Sequence, residues 1–75
     1  MTETAHKEMI SVHVNGEARA IPAHSSIADM LRSIGLEPRK VAVERNLEVV
    51  PRSTLEEVEA RDGDAFEIVH FVGGG

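Results

Sequence analysis

The sequence predicts an α+β domain of the β-grasp arrangement, a mixed four- to five-stranded sheet with one main helix packed on one face. Three observations lead there. Short alternating apolar stretches recur along the chain, the period of half-buried strands. One segment alone carries the apolar spacing of an amphipathic helix. The order reads two strands, a helix, two strands, a turn and a final strand. No helix separates each strand from the next, so a doubly wound parallel sheet is excluded.

In the first strand Ile10, Val12 and Val14 alternate with Ser11 and His13, and Asn15-Gly16 follows as a hairpin signal. The second strand returns through "EARAIP". A strict two-residue turn would set Val14 opposite Glu17 and Val12 opposite Arg19, mixing charges into the apolar face. A longer loop or bulge pairing Val14 with Ala18 is therefore expected. Pro22 ends this strand or restricts it to an edge. The helix starts at Ser26, with Asp29 three residues on in the spacing of a capping box. Ile27, Met30, Leu31 and Ile34 form its apolar stripe, and Gly35 supplies the left-handed residue that stops it. At about two and a half turns it is too short to stand alone and must lie on the sheet. "VAVER" follows with Val41 and Val43 inward, then Asn46 near a turn, then "LEVVP" coming back. Leu47 departs from the glycine or polar residue that would make that turn easier. A brief helical turn around Leu55 and Val58 precedes Asp62-Gly63-Asp64, a strong turn signal, and the last strand begins at Ala65.

These boundaries divide the chain into a flexible N-terminal tail over 1–8, the β-grasp domain over 9–72 and a flexible glycine tail over 73–75. Composition narrows what such a domain can do. At 75 residues it is near the lower size at which a single core supports a fold unaided. The apolar runs are far too short to span a bilayer, and "MTETAHKE" lacks the pattern of a secretory signal, so a cytoplasmic, membrane-free protein is expected. Cysteine is absent, which excludes disulfides, cysteine-ligated metal and thiol nucleophiles. A net charge of −5 with neither Trp nor Tyr argues against nucleic acid.

The stretch "FEIVHFVGGG" carries the functional information. Phe66 and Ile68 share a face with His70 and Val72, whereas Val69 and Phe71 fall on the other face beside Glu67. If the first pair faces the helix, Val69 and Phe71 stand exposed as a docking patch; the alternative is that Phe71 folds over a sheet edge to complete the core. Gly73, Gly74 and Gly75 follow. Three glycines contribute nothing to stability, but a chain without Cβ atoms can thread a narrow channel, and extended they reach roughly 10 Å. The carboxylate at the tip, with an ordinary pKa of about 3.3 to 3.7, is ionised at neutral pH and is an oxygen nucleophile toward phosphorus.

"VHVNGE", "SIADMLRSIGL", "VAVERN", "VVPRS" and "DGDAFEIVHFVGGG" together resemble the ThiS family, sulfur carriers of thiamine biosynthesis, over roughly residues 9 to 75. The resemblance implies a ubiquitin-like fold and a protein co-substrate in place of an enzyme, with no bound cofactor and no metal. It also implies a reaction sequence. The Gly75 carboxylate would be adenylated by an ATP-using adenylyltransferase resembling ubiquitin-activating enzymes. Sulfur from a persulfide donor such as a cysteine desulfurase would displace AMP, leaving a thiocarboxylate that thiazole synthase consumes. Gly73 and Gly74 would serve threading, and Val69, Phe71 and Val72 partner binding. Gly73 is a departure, since the family ends on a glycine pair.

Two other readings stay open beside this one: a small subunit of molybdopterin synthase, and a β-grasp interaction module or protein modifier with an inert or conjugated tail. Elsewhere the signals are weak. His6, His13, His24 and His70 show no metal-ligand spacing, although His13 and His70 become neighbours if the first and last strands pair. "EEVEARDGD" lacks calcium-loop spacing and reads as a solvated face and turn. Arg52 either docks a partner or fixes its loop, the structural role being preferred. Neither a Ser-His-Asp arrangement nor a phosphate loop is present.

Overall fold

The structure, a computed structural model, describes residues 8–71. Its elements are β1 (Met9–Val14), β2 (Glu17–Pro22), α1 (Ile27–Ser33), β3 (Val41–Arg45), β4 (Glu48–Val50) and β5 (Ala65–His70), with short 3-10 turns at Pro38–Lys40 and Arg52–Thr54. The strands form one five-stranded sheet in the order β2-β1-β5-β3-β4. β1 and β5 run parallel at its centre and the other pairs are antiparallel. This is the mixed sheet with one helix that the element order predicts.

The β1–β2 hairpin corrects the expected register. Val14 pairs with Glu17 and Val12 with Arg19, so the turn is the strict two-residue kind, without a bulge. Asn15 and Gly16 take φ values of 50° and 86°, the doubly left-handed backbone that matches strand twist. The charges are tolerated because β2 is an edge strand whose buried contribution is Ile21 alone. Glu17 and Arg19 lie beyond the core, exposed and paired with each other at 3.2 Å. Pro22 closes this edge strand.

α1 forms as its caps dictate. The Ser26 hydroxyl accepts from the Asp29 amide at 2.9 Å, and the Asp29 carboxylate accepts from the Ser26 amide at 3.3 Å. The next orphan donors of the first turn are met from the loop after β4: Ile27 N–H donates to the Val58 carbonyl and Ala28 N–H to that of Leu55, both at 2.9 Å. At the far end Leu36 N–H returns to Leu31 and Gly35 N–H to Arg32, with Gly35 at φ 85°, a Schellman closure. Arg32 pairs with Asp29 and Glu56, tying the helix to that same loop. The hydrogen bond to Glu56 raises the Arg32 pKa above its ordinary value.

The core lies between α1 and one sheet face. Ile27, Ala28, Met30 and Leu31 meet Val12, Val14, Ile21, Val41, Val43, Phe66 and Ile68, with Leu55 and Ala60 closing the side. Ile34 and Leu36 pack on its rim. Such burial is the main favourable term for a domain this small, at about 25 cal/mol per Å² of apolar surface.

Candidate functional site: the bare sheet face and the end of β5

Strand alternation sends every second residue away from the helix, and nothing among the described residues covers that side. Register places Ala18 beside His13, His13 beside Ala65, Ala42 beside Val69, and Glu44 between Val49 and Glu67. All of these are exposed. The face is therefore small and apolar over most of its width, with Glu44 and Glu67 set directly across from each other. Like charges in that relation oppose pairing slightly and contribute nothing to the core.

Its apolar prominences gather on the β4 side. Val49 is 73% exposed, Val69 63% and Leu47 87%, and with Ala42 they line a shallow groove of about 400 Å³. Leu47 reaches the lip by an uncommon backbone. Asn46 and Leu47 have φ of 51° and 74°, so this second two-residue hairpin puts a leucine where glycine is preferred. The turn is held by a network that the sequence did not reveal. Asp64 is buried to 6% exposure; its carboxylate accepts from Asn46 Nδ2 at 3.2 Å and the Arg61 amide at 2.9 Å, and forms an ion pair with Arg45, whose Nε lies 3.1 Å away. Asn46 Oδ1 in turn accepts from the Ala65 amide at 3.0 Å. The "DGD" segment is thus exposed at Asp62 and Gly63, which still bond to Ser11 of β1: the Asp62 carboxylate accepts from the Ser11 amide at 2.9 Å and Gly63 N–H donates to the Ser11 carbonyl at 2.8 Å. Asp64 is an internal anchor, 18 residues from its Asn46 partner.

β5 delivers the chain toward the glycine tail. Its first residues pair with β1 at His13–Ala65 and Val14–Phe66, after which β1 turns away. Asn15 then continues the ladder with its side chain: Oδ1 accepts from the Ile68 amide at 2.8 Å and Nδ2 donates to the Ile68 carbonyl at 3.2 Å. On its other side β5 stays paired with β3 through His70–Val41, and Phe71 N–H donates to the Lys40 carbonyl at 3.0 Å. Phe71 is 54% exposed and outside the core, which answers the question left open by the sequence: Val69 and Phe71 form a surface patch. The Arg52 guanidinium lies 5.1 Å from the centroid of the Phe71 ring. Val72, Gly73, Gly74 and Gly75 lie outside the described residues, so the tail's threading role and its terminal carboxylate remain expectations of the sequence.

The histidines do not assemble. β1 and β5 do pair, but in a register that puts Ala65, not His70, beside His13, and the two histidines point to opposite faces of the sheet. His24 lies 3.5 Å from Glu59 in an exposed pair. His6 is outside the described residues. Among the described residues there is no group of three or more His, Asp or Glu placed to hold a metal ion. No described helix is long and apolar enough to cross a membrane.

Among the described residues, strand order, a single α-helix on one face and a bare opposite face define a ubiquitin-like β-grasp domain. The comparisons agree. In solved structures the chain is similar to the thiamine biosynthesis protein ThiS from Geobacter metallireducens. The crystal structure matches with a TM-score of 0.73 at 29% identity over 88% of this chain and 100% of that one. Its solution structure matches at 0.68, with 29% identity over 88% of each chain. A profile of the ThiS family matches residues 12–75, and the chain belongs to that family. It is 52% identical to the sulfur carrier protein ThiS of Bacillus subtilis over 50 residues, 67% of this chain and 76% of that protein. It is also 50% identical over 62 residues to a thiazole synthase of Paramagnetospirillum magneticum, and 42% identical over 66 residues to one of Magnetococcus marinus. Those matches cover 83% and 88% of this chain, which spans only 19% and 20% of the length of the two synthases.

Proposed function

We propose that this protein is a sulfur carrier for thiazole formation in thiamine biosynthesis, working in the cytoplasm as a co-substrate of other enzymes. The observation that carries this reading is the family match reaching Gly75, together with the similarity to a sulfur carrier protein over most of that protein's length. The exposed Val69 and Phe71 support it, because they lie where β5 hands over to the glycine tail. An ATP-dependent partner would use the bare sheet face to seat the domain while the glycines thread toward the nucleotide. A Gly75 carboxylate oxygen attacks the α-phosphorus, pyrophosphate leaves and an acyl adenylate forms. The terminal sulfur of a donor persulfide then attacks the acyl carbon and AMP leaves. A thiol reducing the resulting acyl disulfide frees the thiocarboxylate, with the donor side released as a disulfide. Attack on the adenylate is favourable because AMP is a far better leaving group than the hydroxide a free carboxylate would have to expel.

Thiazole synthase as the acceptor is favoured over a molybdopterin partner by the two synthases that contain a similar segment within their own chains. Intact mass before and after incubation with ATP, activating enzyme and persulfide donor tests the proposal. The expected result is a gain equal to exchanging one oxygen for sulfur, abolished by deleting Gly75. Absence of that gain with a donor system that loads another carrier rejects it.

A further inference from the structure

We propose that Arg52 is a positioning residue that holds the root of the glycine tail by stacking on Phe71. The proposal deepens the carrier reading above and rests on it for its consequence, though not for its first test. The base of the Arg52 arm is rigid. Pro51 sets φ at −59°, and its carbonyl accepts from both the Thr54 amide at 2.9 Å and the Thr54 hydroxyl at 2.8 Å. Two residues on from Thr54's neighbour Ser53, Leu55 is buried against α1, whose Ala28 amide donates to the Leu55 carbonyl. The guanidinium therefore swings from a fixed point.

What it meets is the end of β5, where that strand is paired on one side. Beyond Ile68, β5 has lost β1 as a neighbour among the described residues, and there Phe71 N–H donates to the Lys40 carbonyl. A strand end held from one side frays. In the sheet order β3 lies between β4 and β5, so a contact from Arg52, just past β4, to Phe71, just past β5, closes over the start of β3. Both side chains are exposed and neither belongs to the core, so the contact does little for the fold. Its effect is local: it selects one direction for the backbone at Phe71, the point from which the tail departs. A cation over an exposed ring shifts such a local equilibrium about two- to fivefold.

The test compares Arg52→Gln, Arg52→Lys, Phe71→Leu and the double variant Arg52→Gln/Phe71→Leu. In the free protein, heteronuclear relaxation at residues 69 to 71 should show greater fast motion in Arg52→Gln and partial recovery in Arg52→Lys, at unchanged melting temperature. In reconstituted adenylation, KM should rise about two- to fivefold for Arg52→Gln with kcat unchanged, because ordering the tail is then charged to binding. The double variant should be no worse than Phe71→Leu alone, since the ring is already gone. Unchanged relaxation in Arg52→Gln, a KM effect that adds fully to that of Phe71→Leu, or an effect accompanied by a lowered melting temperature overturns the proposal. A wild-type protein that gains no sulfur would instead overturn the carrier reading and leave the relaxation result standing.

Discussion

Leu47 combines two unfavourable features: a left-handed backbone and 87% exposure of an apolar side chain. Neither serves the core. Leu47→Gly should raise stability by about 0.5 to 1 kcal/mol, the relief of the left-handed conformation exceeding glycine's greater loss of chain entropy. A thermal melt that moves down would refute this. Asp64 is the opposite case, a buried carboxylate with two hydrogen-bond donors and an arginine ion pair. Asp64→Ala strands Asn46 Nδ2 and the Arg61 amide, removes the ion pair with Arg45 and should cost about 2 kcal/mol, measured by urea unfolding; a loss within experimental error would show that water replaces the carboxylate freely. These two residues differ in how readable they were. Leu47 stood out because turn chemistry is local. Asp64 did not, since its partners are remote in sequence and nothing in "DGD" distinguishes an aspartate facing water from one turned inward.

Among elements, α1 was the most legible, because a capping box and a Schellman glycine are written within a few residues of the turns they close. Ser26→Ala should lower stability by about 1 kcal/mol, and amide exchange should accelerate first at Asp29, the donor it leaves unpaired. Equal protection in the variant would mean the cap is dispensable. The first hairpin was misread for a physical reason. The expectation of a bulge treated the whole strand as facing a core, yet a short helix covers the middle of a five-stranded sheet and leaves its margin wet. At such a margin the turn residues Asn15 and Gly16 decide the register, and charges opposite Val12 and Val14 carry little penalty. β5 was legible in its alternation, but the substitution of the Asn15 side chain for a strand neighbour was not, because it depends on where β1 ends relative to β5.

For the molecule as a whole, a sheet covered on one side among the described residues separates the face that carries stability from the face proposed for docking. Val69→Asp should leave the melting temperature nearly unchanged, the site being 63% exposed, while raising the KM for adenylation about tenfold or more by placing a charge in an apolar contact. An unaltered KM would place the docking surface elsewhere. The fold followed from element order, whereas the role proposed for the glycines rests on a family resemblance, because no arrangement of side chains marks a backbone carboxylate as reactive. The stagger of the two central strands has a mechanical consequence. β1 enters the sheet from one end and β5 leaves by the other, and the two are parallel, so tension between residue 9 and residue 71 slides them along each other and loads their linking bonds together. Ser11, His13 and Asn15 link β1 to residues 62 to 66 through their backbone, and the Asn15 side chain adds two bonds to Ile68 at the far end of that joint. Force spectroscopy with handles at those residues should record a lower rupture force for Asn15→Gly, which keeps the turn and removes the side chain; an equal force would assign the resistance to the backbone bonds between β1 and β5. A domain pulled from the end of β5 would thus be held in part by an asparagine at the end of β1.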